Sequence, residues 1–528
     1  MAKISLIFFS LFFFLTLSAA SGIASDSGPS EAAPGKFSAA GDREKNLALF
    51  IDALLEKDPE TQCKKILAVV AADPANAETP LKAFFAAFKK VKNRSAVVSQ
   101  FNGVWKKSPL NPFLAAHGPD LNRACGTPAK ERLAQLKALN SRDPADLCVS
   151  PLWSRDLTSA LLRNTAECLL ELQQYDTMLS LFDKWNKTPA QHRLVLYSTL
   201  GGLCYTAAAR SYSSGDIKQG AALENCFKTS VAGLKKMDNL ITDNDSALRV
   251  LFFYAGHRQI LKDEPVRFAQ AFYQRYPSAK ANVWRLTAAV DCGNLKILKQ
   301  AVKEINAVNP RFDAAELRFK ACLNAGLFAE AEKELAGLPV KRHFELRREL
   351  YIKQKEWKKL NQLISERLSK GAPAGAVEGV VLLTVAEKLR NVSIYKRALE
   401  ILKNTLNNPV VANAVGYVGA VLDQDLKQCQ TLLESALSRE PQNMAYLDSM
   451  AWICFKQKRY AEAEKWIRKA LVAATPAAGI AVILDHAGDI AAALGKNPRT
   501  FYELALKYAP FDTECDVAEI TRKLKDLK

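Results

Sequence analysis

YLDSMAWICFKQKRYAEAEKWIRKAL, running from Tyr446 to Leu471, is the stretch that decides the fold. Leu447 and Met450 form an apolar pair at helical spacing, with the small Ala451 beside them and Phe455 closing a first helix. Lys458 and Arg459 supply a turn, and Tyr460 opens a second helix whose inner stripe is Ala463, Ile467 and Ala470, at spacings of four and three. Pro476 ends the unit. Two short amphipathic helices joined by a tight turn, with a small residue where they must approach, predict an antiparallel helical hairpin.

The same template fits on either side. Upstream, NAVGYVGAVLDQDLKQCQTLLESALSREP places Gly416 at the crossing position and Pro441 at the end. Downstream, ILDHAGDIAAALGKNPRTFYELALKYAP has Gly488 at the crossing, Gly495 at the turn and Pro510 as terminator. Crossing positions 416, 451 and 488 lie 35 and 37 residues apart, close to the period of about 34 expected for tandem helical hairpins. One such unit is weak evidence, whereas three in series are specific.

Asn413 to Pro510 resembles the tandem of bacterial tetratricopeptide proteins that reads NALGY, YLDSLGW and HLGD. The matching strings are NAVGY (Asn413 to Tyr417), YLDSMAW (Tyr446 to Trp452) and HAGD (His486 to Asp489), with Ala451 standing where the pattern has glycine. The resemblance covers about a fifth of the chain. It implies an all-α fold, an alpha-alpha superhelix of antiparallel hairpins, used in such families to hold proteins or peptides. The Lys/Asn constellation that clamps a C-terminal carboxylate in chaperone-binding members is not recognisable.

Upstream the template decays but persists. Asn282 to Pro310 has Gly293 at the turn with Leu298 and Val302 inward, and Phe312 to Pro339 has Gly326, Phe328 and Ala331 in matching places. Tyr351, Trp357, Leu360 and Ile364 continue the pattern, as do Tyr175, Met178 and Phe182 much earlier. Together they favour a continuous solenoid over separate globular domains. No alternating run with hairpin signals stands out, so few strands are expected.

The chain begins Met1-Ala2-Lys3, then ISLIFFSLFFFLTL (Ile4 to Leu17), then small residues with cleavage points after Ala20 or Ala24. One cation, an apolar run and a small-residue tail predict a secretory signal and an exported, periplasmic or extracellular protein. The alternative is a retained anchor, but the run falls short of the roughly 20 residues that span a bilayer. No later segment is apolar enough for a stable span. The expected organisation is a signal peptide (1–24), a flexible leader (25–42) and an N-terminal helical region (43–150). Degenerate helical repeats (151–408) and the clear repeats with a C-terminal helix (409–528) complete it. Helical patterning starts at Arg43, and the turn-rich stretches Lys106 to Asp120 and Asn140 to Pro151 are candidate separators. Hydrophobic residues at 49% and charged residues at 24% exclude global disorder.

The formal net charge is +18, spread along the chain with local clusters such as Lys89 to Arg94 and Lys341 to Glu349. It reads either as attraction to an anionic cell-envelope polymer or membrane surface, or as solvated helix faces, which the wide spread favours. No nucleic-acid module occurs, so no nucleic-acid partner is expected. The 11 cysteines contain no CxxC, which removes the zinc-knuckle and thioredoxin patterns. Most, such as Cys168 and Cys322, sit at small-apolar helical positions and read as buried, inert thiols. Cys125 and Cys148 lie in turn-like segments and are the preferred disulfide pair for an oxidising compartment.

His117, His192, His257, His343 and His486 are far apart, and none forms HExxH or pairs with Cys at metal-ligand spacing. Phosphate-cradling loops and the GxSxG elbow are also missing. No catalytic residue, cofactor or metal is expected, and the enzyme alternative needs an unfamiliar site. His486, between Asp485 and Asp489, reads as a packed residue of a first helix before it reads as a site.

A groove is the better functional candidate. The resemblance implies that first helices face the concave surface, exposing Asn413, Tyr417 and Ala420 in one unit, Asp448, Trp452, Phe455 and Lys456 in the next, and Asp485 and Asp489 in the last. Aromatics beside acids suit a peptide with apolar and basic groups. The competing reading has Tyr417, Trp452 and Phe455 filling the space between hairpins. The expectation is a non-enzymatic scaffold for a protein or peptide partner. A superhelix that binds an anionic envelope polymer is the alternative.

Overall fold

The computed structural model of the protein describes residues 40–148, 154–214, 216–371, 373–473, 479–511 and 514–527. The expected signal peptide and Pro476 lie outside them. Every regular element among the described residues is helical, and no strand occurs there. Helices of eight or more residues are numbered here in chain order. The chain divides into two compact units, one running to Ala208 with Lys218–Met237, the other comprising Ala209–Ile217 and Asp238–Lys528.

The first unit contains α1 (Ala40–Leu55), α2 (Pro59–Ala72), α3 (Glu78–Phe88), α4 (Arg94–Lys107), α5 (Pro112–Ala124), α6 (Arg155–Glu171), α7 (Tyr175–Trp185), most of α8 (Ala190–Ser213), and α9 (Ile217–Met237). Helix α1 starts three residues before the expected Arg43. The turn expected within Lys106–Asp120 is largely a helix. Pro112 occupies its first turn, where a missing N–H costs nothing, and Asn111 caps Leu114 N at 3.0 Å. Phe84, Phe101 and Trp105 build an aromatic core here. Gly118 lies flat under Trp105, where a Cβ would come within 2.2 Å of the indole.

The second unit continues through α10 (Asn244–Gly256) and α11 (Glu264–Arg275) into a run of hairpins. These are α12 (Ala279–Asp291) with α13 (Leu295–Val308), α14 (Ala315–Asn324) with α15 (Phe328–Ala336), and α16 (Val340–Lys353) with α17 (Trp357–Ser369). Then come α18 (Ala376–Lys388) with α19 (Val392–Leu402), α20 (Pro409–Val421) with α21 (Leu426–Arg439), α22 (Met444–Lys456) with α23 (Tyr460–Ala473), and α24 (Ile480–Ala493) with α25 (Arg499–Tyr508). Helix α26 (Val517–Asp526) follows. Each helix packs on its hairpin partner, and the first helices α18, α20, α22 and α24 also pack in sequence against one another. The fold is therefore an all-α stack of antiparallel hairpins, the alpha-alpha solenoid type expected from the repeats.

One device closes all seven hairpins. The residue at the turn is in the left-handed region at Gly293, Gly326, Lys355, Arg390, Asp423, Lys458 and Gly495. The next N–H reaches back five residues to a carbonyl of the first helix, from Asn294 to Ala289 and from Arg459 to Cys454, for example. This arrangement satisfies carbonyls that the helix end would otherwise leave bare. Gln173 does the same between α6 and α7 in the first unit. Only three of the seven turn residues are glycine, and with Lys458 the sequence pattern marks four of these turns, leaving Lys355, Arg390 and Asp423.

Crossing positions behave as the template requires. A Cβ on Gly416 would meet Leu433 Cδ2 at 2.1 Å, and one on Gly488 would meet the Tyr502 ring at 2.3 Å. Ala451 is fully buried at the equivalent place, so a methyl group fits there and a larger side chain would not. Upstream, Phe319, Leu323, Ala331, Leu335, Leu346 and Leu350 form one apolar cluster that joins α14, α15 and α16.

Candidate functional site

Helices α20, α22 and α24 position the site. Asn408 caps α20 by accepting from Val410 N at 2.9 Å, with Pro409 at the first helical position. Asn443 caps α22 by accepting from Ala445 N at 3.1 Å. Because the first helices stack side by side, residues one turn apart on each line up across neighbouring units.

At the centre, His486 of α24 donates through Nδ1 to Asp448 of α22, at 2.9 Å to Oδ1 and 3.2 Å to Oδ2. Both side chains are over nine-tenths buried. The Trp452 indole stacks on the imidazole, with centroids 4.2 Å apart and planes at 21°. Phe455 stacks in turn on Trp452, at 4.8 Å and 15°, and the Tyr417 ring lies 6.1 Å from His486. The result is an aromatic tier around one buried acid–imidazole pair.

The electrostatics follow from that packing. Burial acts to lower the basicity of His486, but Asp448, by charge and by its hydrogen bond, outweighs it, with help from Asp485 and Asp489. The imidazole is consequently held above its usual range. The Tyr417 phenol is pushed well up by burial, then by the charges of Glu387, Asp448 and Glu514, with Arg390 opposing. It stays a neutral hydroxyl at any physiological pH.

The residues expected to line a groove divide into two sets. Asn413 and Tyr417 lie one turn apart on α20, and Tyr417 joins Asp448 and Trp452 of α22 around His486, with Phe455 stacked on Trp452. Lys456 is instead tied to Asp423 at 2.7 Å. Asp485 and Asp489 are each bound by Lys523 of α26 at 2.8 Å, and Asp489 also accepts from the Tyr502 hydroxyl at 2.9 Å. Ala420 and Asp448, both expected to be exposed, are buried, Ala420 completely and Asp448 by its pairing with His486.

His486 was read as a packed residue, and its burial agrees with that reading. Its partner is not one of the flanking acids, however, but Asp448 on the preceding unit. Lys523 was missed altogether. The signal for it was the pair Asp485 and Asp489, four apart on a packed helix, which needs a cation from elsewhere.

Trp452 Nε1 in the tier, and Asn413 Oδ1 one turn before Tyr417 on α20, are buried without a hydrogen-bond partner among the described residues. One is an acceptor and the other a donor, and such atoms are costly to leave unmatched. No cluster of three or more His, Cys, Asp or Glu with metal-binding geometry occurs among the described residues. No described helix is long and apolar enough to cross a membrane.

Neither a protein-family model nor a curated protein matches the chain. Among solved structures, it is similar to the APC/C hetero-tetramer Cut9–Hcn1, at 12% identity and a TM-score of 0.33, over 92% of this chain and 96% of that one. It is also similar to the pentatricopeptide repeat protein PPR10 from maize, at 13% identity and a TM-score of 0.33, over 91% of this chain and 75% of that one. The helical-repeat assignment rests on the hairpins themselves.

Proposed function

We propose that the chain is a non-enzymatic scaffold that holds a protein or peptide segment along the inner faces of α20 and α22. The observation that carries this reading is the set of half-buried rings, Tyr417, Trp452 and Phe455, gathered around the buried His486–Asp448 pair. An extended peptide lays an apolar side chain on the accessible parts of the Tyr417 and Trp452 rings. Glu387, Asp448 and Glu514 around Tyr417 outnumber Arg390, so a partner segment with apolar and basic residues fits best. The N-terminal pattern of one cation, an apolar run and small residues supports export, and with it a role in a bacterial cell envelope.

A peptide array probed with the purified full-length chain tests the reading. Hits should be enriched in apolar and basic residues, and Trp452→Phe, which keeps a ring in the stack but shrinks its accessible face, should weaken them. No sequence-selective hits would sink the proposal. Binding that collapses with moderate salt and ignores Trp452→Phe would instead favour an anionic polymer held by the basic surface.

A further inference from the structure

In the first unit, α8 and α9 run antiparallel. A Cβ on Gly233 would come within 2.2 Å of the Tyr197 ring, so the two backbones approach closely there. Seven residues along each helix from that contact, in opposite directions, lie Cys204 and Cys226. Seven residues are two helical turns, so 197 opposite 233 and 204 opposite 226 belong to one seam. The two thiols share a hydrogen bond, Cys204 is fully buried and Cys226 is nearly so. Tyr205 and Phe227 pack beside them, with centroids 4.7 Å apart, which holds the register.

We propose that Cys204 and Cys226 form a disulfide that staples α8 to α9 when the chain folds against a disulfide oxidant such as oxidised glutathione. A disulfide demands a short Cβ–Cβ separation, and thiols already hydrogen-bonded at facing seam positions are the pair on α8 and α9 placed to reach it. The hydrogen bond from Cys204 lowers the basicity of Cys226, and the same bond together with burial keeps the Cys204 thiol protonated. Cys226 is therefore the attacking sulfur. Its thiolate bonds to one oxidant sulfur and the oxidant's S–S bond breaks, releasing one thiolate. The Cys204 sulfur then displaces the second oxidant sulfur, and its proton goes to a released thiolate. The two cysteines are oxidised by two electrons and the oxidant disulfide is reduced to two thiols.

Cys204 and Cys226 are free thiols in the structure, as are Cys125 and Cys148, the pair favoured by local sequence. The latter two sit at the end of α5 and on a short helix, and burial pushes the Cys148 thiol up to about 11.

The test is a tryptic map of the full-length chain, refolded in a glutathione redox buffer and alkylated under denaturing, non-reducing conditions. Peptides Leu194–Arg210 and Gln219–Lys228 should appear as one cross-linked species that separates on reduction. Recovery of both as singly alkylated peptides, or of either linked to another cysteine, overturns the proposal. Oxidation should also raise the melting temperature of the wild type, and a rise that persists in Cys226→Ala overturns it as well. Should that variant fail to fold, the wild-type map alone decides. The outcome is independent of peptide binding at α20 and α22.

Discussion

His486 and Asp448, 38 residues apart in sequence, meet at 2.9 Å beneath the Trp452 indole and join the first helices of two successive hairpins. The contact is both a clamp between repeats and the floor of the proposed groove. Removing one partner of a buried pair strands the other, so the cost exceeds what the bond itself contributes.

A pH dependence follows. The folded-state basicity of His486 is raised above its unfolded value of about 6.5. A raised group contributes stability that is complete below the unfolded value and is lost as pH rises through the folded one. Melting curves of the wild type and His486→Asn should therefore differ most in mildly acidic buffer, by about 3 kcal/mol, and converge as the pH becomes alkaline. A gap that widened toward high pH would contradict the assignment of Asp448 as the dominant influence.

The hairpin turns predict changes of opposite sign. Gly293 is left-handed, and a Cβ there would sit 2.5 Å from the Ala325 backbone N, whereas the equivalent space at Gly326 is open. Gly326→Ala should cost about 1–2 kcal/mol for the left-handed backbone alone, and Gly293→Ala should cost clearly more because a backbone must move. Lys458 and Lys355 hold the same conformation with side chains, so Lys458→Gly should stabilise by up to about 1 kcal/mol. Urea midpoints of the three variants check the order.

Lys523 anchors the C-terminal helix. It bridges Asp485 and Asp489 at 2.8 Å each, and burial already pushes the Asp485 carboxyl up against the pull of that ammonium. Lys523→Met leaves two neighbouring carboxylates uncompensated in a half-buried site. Hydrogen exchange should speed up across Val517–Asp526 while α20 and α22 keep their protection. Uniformly faster exchange would show that the bridge supports the whole stack instead.

Much of the fold is legible in local sequence because its causes are local. Apolar spacing of three and four residues, a small residue at each crossing and a helix-stopping turn are properties of about 34 consecutive residues, and Gly416, Gly488 and Ala451 all sit where that pattern places them. The Lys458 turn was legible from the hairpin pattern around it, but those at Lys355, Arg390 and Asp423 were not, because the left-handed conformation is imposed there by the hairpin and not advertised by glycine.

The groove was legible only in part. Helical periodicity puts Asn413 with Tyr417 and Asp448 with Trp452 on single faces, so those pairs follow from spacing alone. Which charge meets which is set by the stacking of separate hairpins, at separations no local pattern encodes. Tertiary packing alone brought Asp448 to His486, gave Asp485 and Asp489 to Lys523, turned Ala420 inward, and set Cys204 against Cys226. The sequence determined the repeating unit and its inner face. The stacking of one unit on the next decided which polar groups were paired, because each such contact joins separate helices that no local pattern relates.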